Sequence, residues 1–128
     1  MNLSKSTRYA LYAAAEMARA GDAPTTVGAV SARYRIPESA LAKVFQQMVR
    51  AGLATGTRGI GGGYRLSRSP SKMSVRDVVR VFERPREPDP EPADRSVQWL
   101  LEEVDDLVQS TFESVTLRTL IGQRRSGG

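Results

Sequence analysis

The sequence predicts a mainly α-helical fold, a winged helix-turn-helix with a two-stranded β-wing and a long C-terminal helix suited to dimerisation. Three observations carry this prediction. Two short helical patterns meet at a tight Ile36-Pro37 turn. A basic stretch with three consecutive glycines, Arg58-Gly-Ile-Gly-Gly-Gly-Tyr-Arg-Leu-Ser-Arg68, follows them and can close as a tight hairpin. Beyond a proline-rich segment, apolar residues then recur at steps of four and three.

The first helix is expected from Ser4 to Ala20. It is rich in alanine, carries Tyr9, Leu11, Tyr12 and Met17, and is closed by Gly21. Ser4 can cap it, which puts Lys5 and Arg8 in the first turn. Cations there oppose the helix dipole unless an anion lies nearby, so they hint at a phosphate. Thr25 and Thr26 cap a short helix from about Val27 to Tyr34, with Val27, Val30 and Ala29 or Ala32 as its inward face. A second helix is expected from about Pro37 to Ala51, with proline at its first position and Gly52 at its end. Its apolar stripe is Leu41, Val44, Phe45, Met48 and Val49, which leaves Glu38, Ser39, Ala42, Lys43 and Gln46 on or near the polar side. That is the geometry of a recognition helix in a major groove.

Leu53 to Thr57 and Tyr64 to Ser67 are expected to pair as the antiparallel strands of the wing. Gly61 and Gly62 allow its tip to press on a phosphate backbone, while Arg58 and Arg65 supply charge. The stretch lacks both the Gly-x-Gly-x-x-Gly fingerprint opening a helix and the Gly-Lys-Ser/Thr ending of a nucleotide loop. Ser74 caps a helix from Val75 to Glu83, whose Val75, Val78, Val79 and Phe82 form a core-facing stripe. Residues 84–94 hold four prolines among alternating charges and read as an extended linker. A last helix is expected over residues 95–122. Its dimerisation seam is Val97, Leu101, Val104, Val108, Phe112 and Val115, broken only at Thr111, with Trp99 beside it. Residues 123–128 read as a flexible tail.

Composition narrows the function. No apolar run approaches the ~18 residues of a membrane span, and the last helix carries Glu102, Glu103, Asp105, Asp106 and Glu113 on its polar face, so a soluble, cytoplasmic protein with no membrane role is expected. The chain contains neither cysteine nor histidine. That removes thiolate nucleophiles, imidazole bases, and the soft ligands of zinc and iron–sulfur sites, so no metal, no cofactor and no enzymatic activity are expected. The net charge of +5 divides unevenly. Residues 1–72 hold eleven Lys or Arg against three Asp or Glu, whereas residues 84–123 hold four against nine. The polyanion-binding surface is therefore expected in the first half.

These residues also resemble a known family, the BadM/Rrf-two bacterial winged-helix transcription regulators. The likeness lies in Leu3-Ser4 with Thr7-Arg8-Tyr9-Ala10-Leu11, Ile36-Pro37-Glu38 with Leu41, Arg50-Ala51-Gly52-Leu53, Arg58-Gly59 with Gly62-Gly63-Tyr64-Arg65-Leu66, and Ser74-Val75-Arg76-Asp77-Val78-Val79. The resemblance implies that the last helix makes a homodimer. Three departures accompany it. Family members that sense iron, redox state or nitric oxide carry a cysteine trio where this chain has Pro85-Arg86-Glu87-Pro88-Asp89-Pro90-Glu91-Pro92. An aromatic residue and a glutamate common in the family's recognition helix are replaced by Ala40 and Ala42, and the usual Pro-Lys of the wing tip by Ile60-Gly61.

The expectation is therefore a sequence-specific transcription regulator, a homodimeric repressor on a pseudo-palindromic operator in double-stranded DNA. Its DNA-binding set is Lys5, Arg8, Thr26, Glu38, Ser39, Ala42, Lys43, Arg58, Gly61, Gly62, Tyr64 and Arg65. Any effector, small molecule or protein, is expected to act between the linker and the last helix. The competing reading is a winged protein-interaction module with weak DNA affinity, against which the charge of residues 1–72 argues. The expected units are residues 1–83 for DNA binding, 84–94 for the linker and 95–122 for dimerisation.

Overall fold

In the computed structural model, which describes residues 2–123, the helix α1 (Lys5–Ala20) is the element that most others pack on. The Ser4 hydroxyl accepts from the Thr7 N–H at 3.2 Å and starts the helix, and Gly21 ends it at φ 62°. Ala10, Ala13, Ala14, Ala15 and Ala18 are buried along it, and such small side chains let neighbouring helices approach closely.

Helix α2 (Val27–Tyr34) is capped by the Thr26 hydroxyl, which accepts from the Ala29 N–H at 3.1 Å. Its inward face is narrower than the periodicity predicts: only Val30 is fully buried and Val27 partly, while Ala29 and Ala32 are exposed. The turn to the next helix passes through Arg35 in the left-handed region at φ 56°, and the Ser31 hydroxyl donates to the Ile36 carbonyl to hold it. Helix α3 (Glu38–Arg50) buries Leu41, Val44, Phe45 and Met48. Pro37 caps it rather than occupying its first turn, and Val49, expected inside, is 38% exposed.

Strands β1 (Ala54–Thr57) and β2 (Gly63–Leu66) form the wing, paired antiparallel from Ala54↔Leu66 to Thr57↔Gly63. Leu53 and Ser67 lie just outside the strands, but the Ser67 N–H still donates to the Leu53 carbonyl at 2.9 Å. A single 3₁₀ turn at Pro70–Lys72 leads to α4 (Val75–Phe82), which opens with a reciprocal capping box between Ser74 and Asp77. Val75, Val78 and Val79 are buried and Phe82 is half-buried. Residues 84–94 are irregular and mostly exposed.

The last helix requires a correction. Instead of one helix over 95–122, α5 (Arg95–Ser114) stops before Val115, and a short α6 (Leu117–Ile121) follows. The cause is tertiary. Val115 accepts from the Val75 N–H and the Leu117 N–H donates to the Met73 carbonyl, both at 2.8 Å, so Ser74 and Thr116 face each other as an antiparallel bridge. Extended backbone is needed for that pairing, and the Thr116 hydroxyl then caps α6 by accepting from the Thr119 N–H. Leu117 is fully buried in the core built by α1, α3 and α4. Residues 124–128, most of the expected tail, lie outside the described residues.

Candidate nucleic-acid interface

Helix α3 has a groove on each side. The first lies between its exposed face and the start of α1, encloses about 380 Å³, and brings Lys5, Ser6 and Tyr9 together with Ser39 and Lys43. The second lies between the end of α3 and the wing, encloses about 450 Å³, and brings Arg58 and Tyr64 together with Gln46, Val49 and Arg50. Residues far apart in sequence thus border one surface, and among the described residues the charged side chains lining the two grooves, Lys5, Lys43, Arg50 and Arg58, are all cationic.

Glu38, Ser39 and Lys43 are exposed on the early turns of α3, and Ala42 is half-buried. The Glu38 carboxylate sits in the first turn, where it complements the helix dipole. Arg8, Arg58 and Arg65 are exposed, and Arg65 sits opposite Thr55 on the strand that carries Tyr64.

Several residues of the expected contact set hold the structure as well. Thr26 spends its hydroxyl as the cap of α2. Tyr64 stacks on the buried Phe45 with ring centroids 4.6 Å apart. Its backbone pairs with Thr25 through two hydrogen bonds of 2.7 and 2.8 Å, which bolts the wing to the start of α2 and to α3. Gly62 lies so close to its own hairpin that a Cβ there would come within 2.2 Å of the Thr57 carbonyl oxygen, and Gly61 sits at φ 77°. These glycines are required by the shape of the tip itself. Next to it, Gly63 at φ 146° passes so close to the Thr25 carbonyl that a Cβ would lie 2.7 Å away.

Gln46 and Arg50 on α3 are among the groove residues that lie outside the expected contact set. The signal for them is their spacing: Lys43, Gln46 and Arg50 step by three and four along α3, so they share a face. At the start of α1, Glu83 accepts from the Thr7 hydroxyl at 2.8 Å and from the Ser4 N–H at 3.2 Å. Burial alone would raise the Glu83 carboxyl, but the hydrogen bonds from Thr7 and Ser4 outweigh it and hold the group below the usual glutamate range. The end of α4 is thereby tied to the helix end that carries Lys5 and Arg8.

The residues of the expected dimerisation seam differ in exposure. Val97, Leu101 and Val104 are 52%, 46% and 49% exposed, and Leu100 and Leu107 share that exposure, so this face of α5 has no cover within the described chain. Val108 is half-buried. Phe112 packs against the core of its own chain, and Val115 lies outside the helix altogether. Trp99 is 62% exposed beside the uncovered residues.

Comparison with known proteins agrees with this architecture. The model of the family described as "Rrf2: Iron-dependent Transcriptional regulator" matches residues 3–123. The HTH-type transcriptional regulator BadM of Rhodopseudomonas palustris is 32% identical over 127 residues, covering 94% of this chain and 81% of that protein. CymR of Bacillus subtilis is 32% identical over 126 residues, covering 94% of this chain and 89% of that protein. The solved structure of CymR, described as the global cysteine regulator of B. subtilis, superposes with a TM-score of 0.88 at 26% identity, covering 98% of this chain and 99% of that one. The relatives are named as regulators, and the family is not one of enzymes. The iron in the family's description does not suit the donors of this chain. The sequence offers no Cys or His, and among the described residues no three Asp or Glu come together as an oxygen-ligand group. No described helix is long and apolar enough to cross a membrane. The match over residues 3–123, the relatives that span nearly all of the chain and the shared fold place this protein in the Rrf2 family of winged-helix, DNA-binding transcription regulators, as a member without cysteine.

Proposed function

We propose that this regulator is a homodimeric repressor that binds a pseudo-palindromic operator and blocks transcription by occupying it. The observation that carries the reading is the pair of grooves flanking α3, one bordered by Lys5 and Lys43 and the other by Arg50 and Arg58. In this reading α3 enters the major groove, and Ser39, Ala42 and Lys43 meet base edges. Lys5 and Arg8 hold the phosphates on one side, while Arg58 and Arg65 hold those on the wing side. Residues 1–83 carry DNA binding and residues 84–94 serve as a tether. The uncovered face of α5, centred on Val97, Leu101 and Val104, joins two chains so that their recognition helices reach half-sites about one helical turn apart. An effector, small molecule or protein, would work by changing that spacing. In this reading it acts where the linker meets α5.

The test is a mobility shift on DNA from the region upstream of the protein's own coding sequence, run over a series of salt concentrations. Retarded complexes whose affinity falls steeply with salt are expected, together with reduced output from that promoter in a reporter strain. Equal binding to unrelated duplexes, or a promoter whose output rises when the protein is supplied, would contradict the repressor reading.

A further inference from the structure

Away from the DNA-facing grooves, α1, α2 and α6 enclose a cavity of about 720 Å³, a size that suits a small organic ligand. Its apolar lining comes from Leu11 and Ala15 on α1 and Leu120 on α6. Tyr12 and Tyr34 line it as a stacked pair, with ring centroids 4.6 Å apart and planes inclined by 25°. Its charged lining is two guanidinium groups, Arg19 and Arg33. Both pair with the single carboxylate of Glu16, at 2.9 and 3.2 Å, and their side chains remain 42% and 59% exposed.

The charges do not cancel, because two cations share one anion and, among the described residues, no other acidic side chain lines the cavity. Among the described residues, each guanidinium uses only Nη1 in these contacts, so the remaining N–H donors of its planar fork are left for an oxygen ligand. Burial, and then the hydrogen bond to Glu16, push the Tyr34 hydroxyl above the ordinary tyrosine value, so it stays protonated and donates to Glu16 at 2.6 Å. That third contact fixes the carboxylate, and with it the two arginines, at one end of an aromatic and aliphatic chamber.

We propose that this cavity binds a small organic carboxylate with an apolar body. The carboxylate would take the free donors of Arg19 and Arg33, and the body would lie against Tyr12, Leu11 and Leu120. Arg33 and Tyr34 are the last two residues of α2, next to the left-handed Arg35 that turns the chain into α3. Leu120 belongs to α6, which follows the α5 helix across the Val115–Thr116 break. A bound molecule therefore touches the hinge of the helix-turn-helix and the element that continues α5. That consequence rests on the DNA-binding reading, whereas the binding itself does not.

Calorimetric titration of the full chain, without DNA, keeps the two separable. Hexanoate is the probe, and hexylammonium and inorganic phosphate are the charge and shape controls. Saturable hexanoate binding is expected, with half-saturation on the order of 1 mM for so small a ligand, and neither control should bind with comparable affinity. Arg19→Gln and Arg33→Gln should each weaken it about tenfold. Tyr12→Ala, which leaves the Glu16 contacts intact, should weaken it severalfold, and unchanged melting of all three variants would confirm that they fold. Absence of saturable hexanoate binding, equal binding of hexylammonium, or hexanoate affinity unmoved in the folded arginine variants would each overturn the proposal.

Discussion

Helix α1 buries seven of its sixteen residues, whereas α5, with twenty, buries none. Both are amphipathic, and both carry enough apolar side chains to need cover. In α1 the apolar positions are mostly alanine, and α3, α4 and α6 of the same chain close over them. In α5 they are Val97, Leu100, Leu101, Val104 and Leu107, and the described chain leaves them open. The charge follows the same division, since the cations collect around α1, α3 and the wing and the carboxylates on α5. One region is thus complete in its packing and offers charge to a polyanion. The other withholds charge from its apolar face and offers surface to a second molecule.

The largest effect is expected where the winged body packs itself. Phe45 is fully buried and supports the wing through its stack on Tyr64, so Phe45→Ala should cost about 3–5 kcal/mol of stability. Chemical denaturation measures this directly. A loss under ~1 kcal/mol would mean that α3 and the wing are held by something other than that contact.

The next effect breaks the comparison from the other side. Val104→Asp on the uncovered face of α5 should leave the melting of the winged body nearly unchanged, because Val104 is 49% exposed and belongs to no core cluster of the described residues. The same change would bury a carboxylate between two copies, so sedimentation should show a monomer. Operator affinity should fall on the order of a hundredfold as the benefit of two linked half-sites is lost. Lost folding without lost assembly would reverse the roles assigned to the two regions.

Smaller changes sharpen the division within the basic region. Arg58→Ala should weaken binding to every duplex and flatten the salt slope by about one unit. Lys43→Ala, on the recognition helix, should instead alter preference at one or two base positions of each half-site. Swapped outcomes, seen in salt titrations and site selection, would exchange the phosphate and base assignments of these two cations.

The smallest effect concerns the tie between α4 and the start of α1. The Glu83 carboxyl is held below its ordinary value, so its contribution to stability is present above the unfolded-state value and is lost as the pH falls through the folded one. Glu83→Gln should therefore melt earlier than the wild type at neutral pH, with the gap closing in acid. A gap independent of pH would show that the charge of Glu83 is irrelevant to the tie.

Most of this fold is written in local signals. Ser4, Thr26 and Ser74 cap the helices that follow them, Gly21 closes α1 and Gly52 follows the end of α3, because caps act within a turn or two of the chain. The break after α5 is different in kind. A periodic apolar pattern runs straight through Val115 and Thr116, and what interrupts it is backbone pairing with Met73 and Val75, some forty residues earlier. The one local hint is Thr116, a hydroxyl placed three residues before the N–H it caps. The interface divides similarly. Lys43 and Arg58 stand out by charge and position, but the grooves that unite Lys5 with Lys43 and Arg58 with Arg50 exist only after α1 and the wing fold against α3. Tyr64 has both levels at once, since its place beside the glycines suggests a contact and its stack on Phe45 exists only once the wing has folded against α3.

The most direct test of the central claim is selection of binding sites from random duplexes, followed by measurement of how many chains each selected duplex carries. The account predicts enrichment of an inverted repeat with half-sites about ten base pairs apart, occupied by two chains at once. A single unrepeated motif bound by one chain, or no enriched sequence at all, would contradict it.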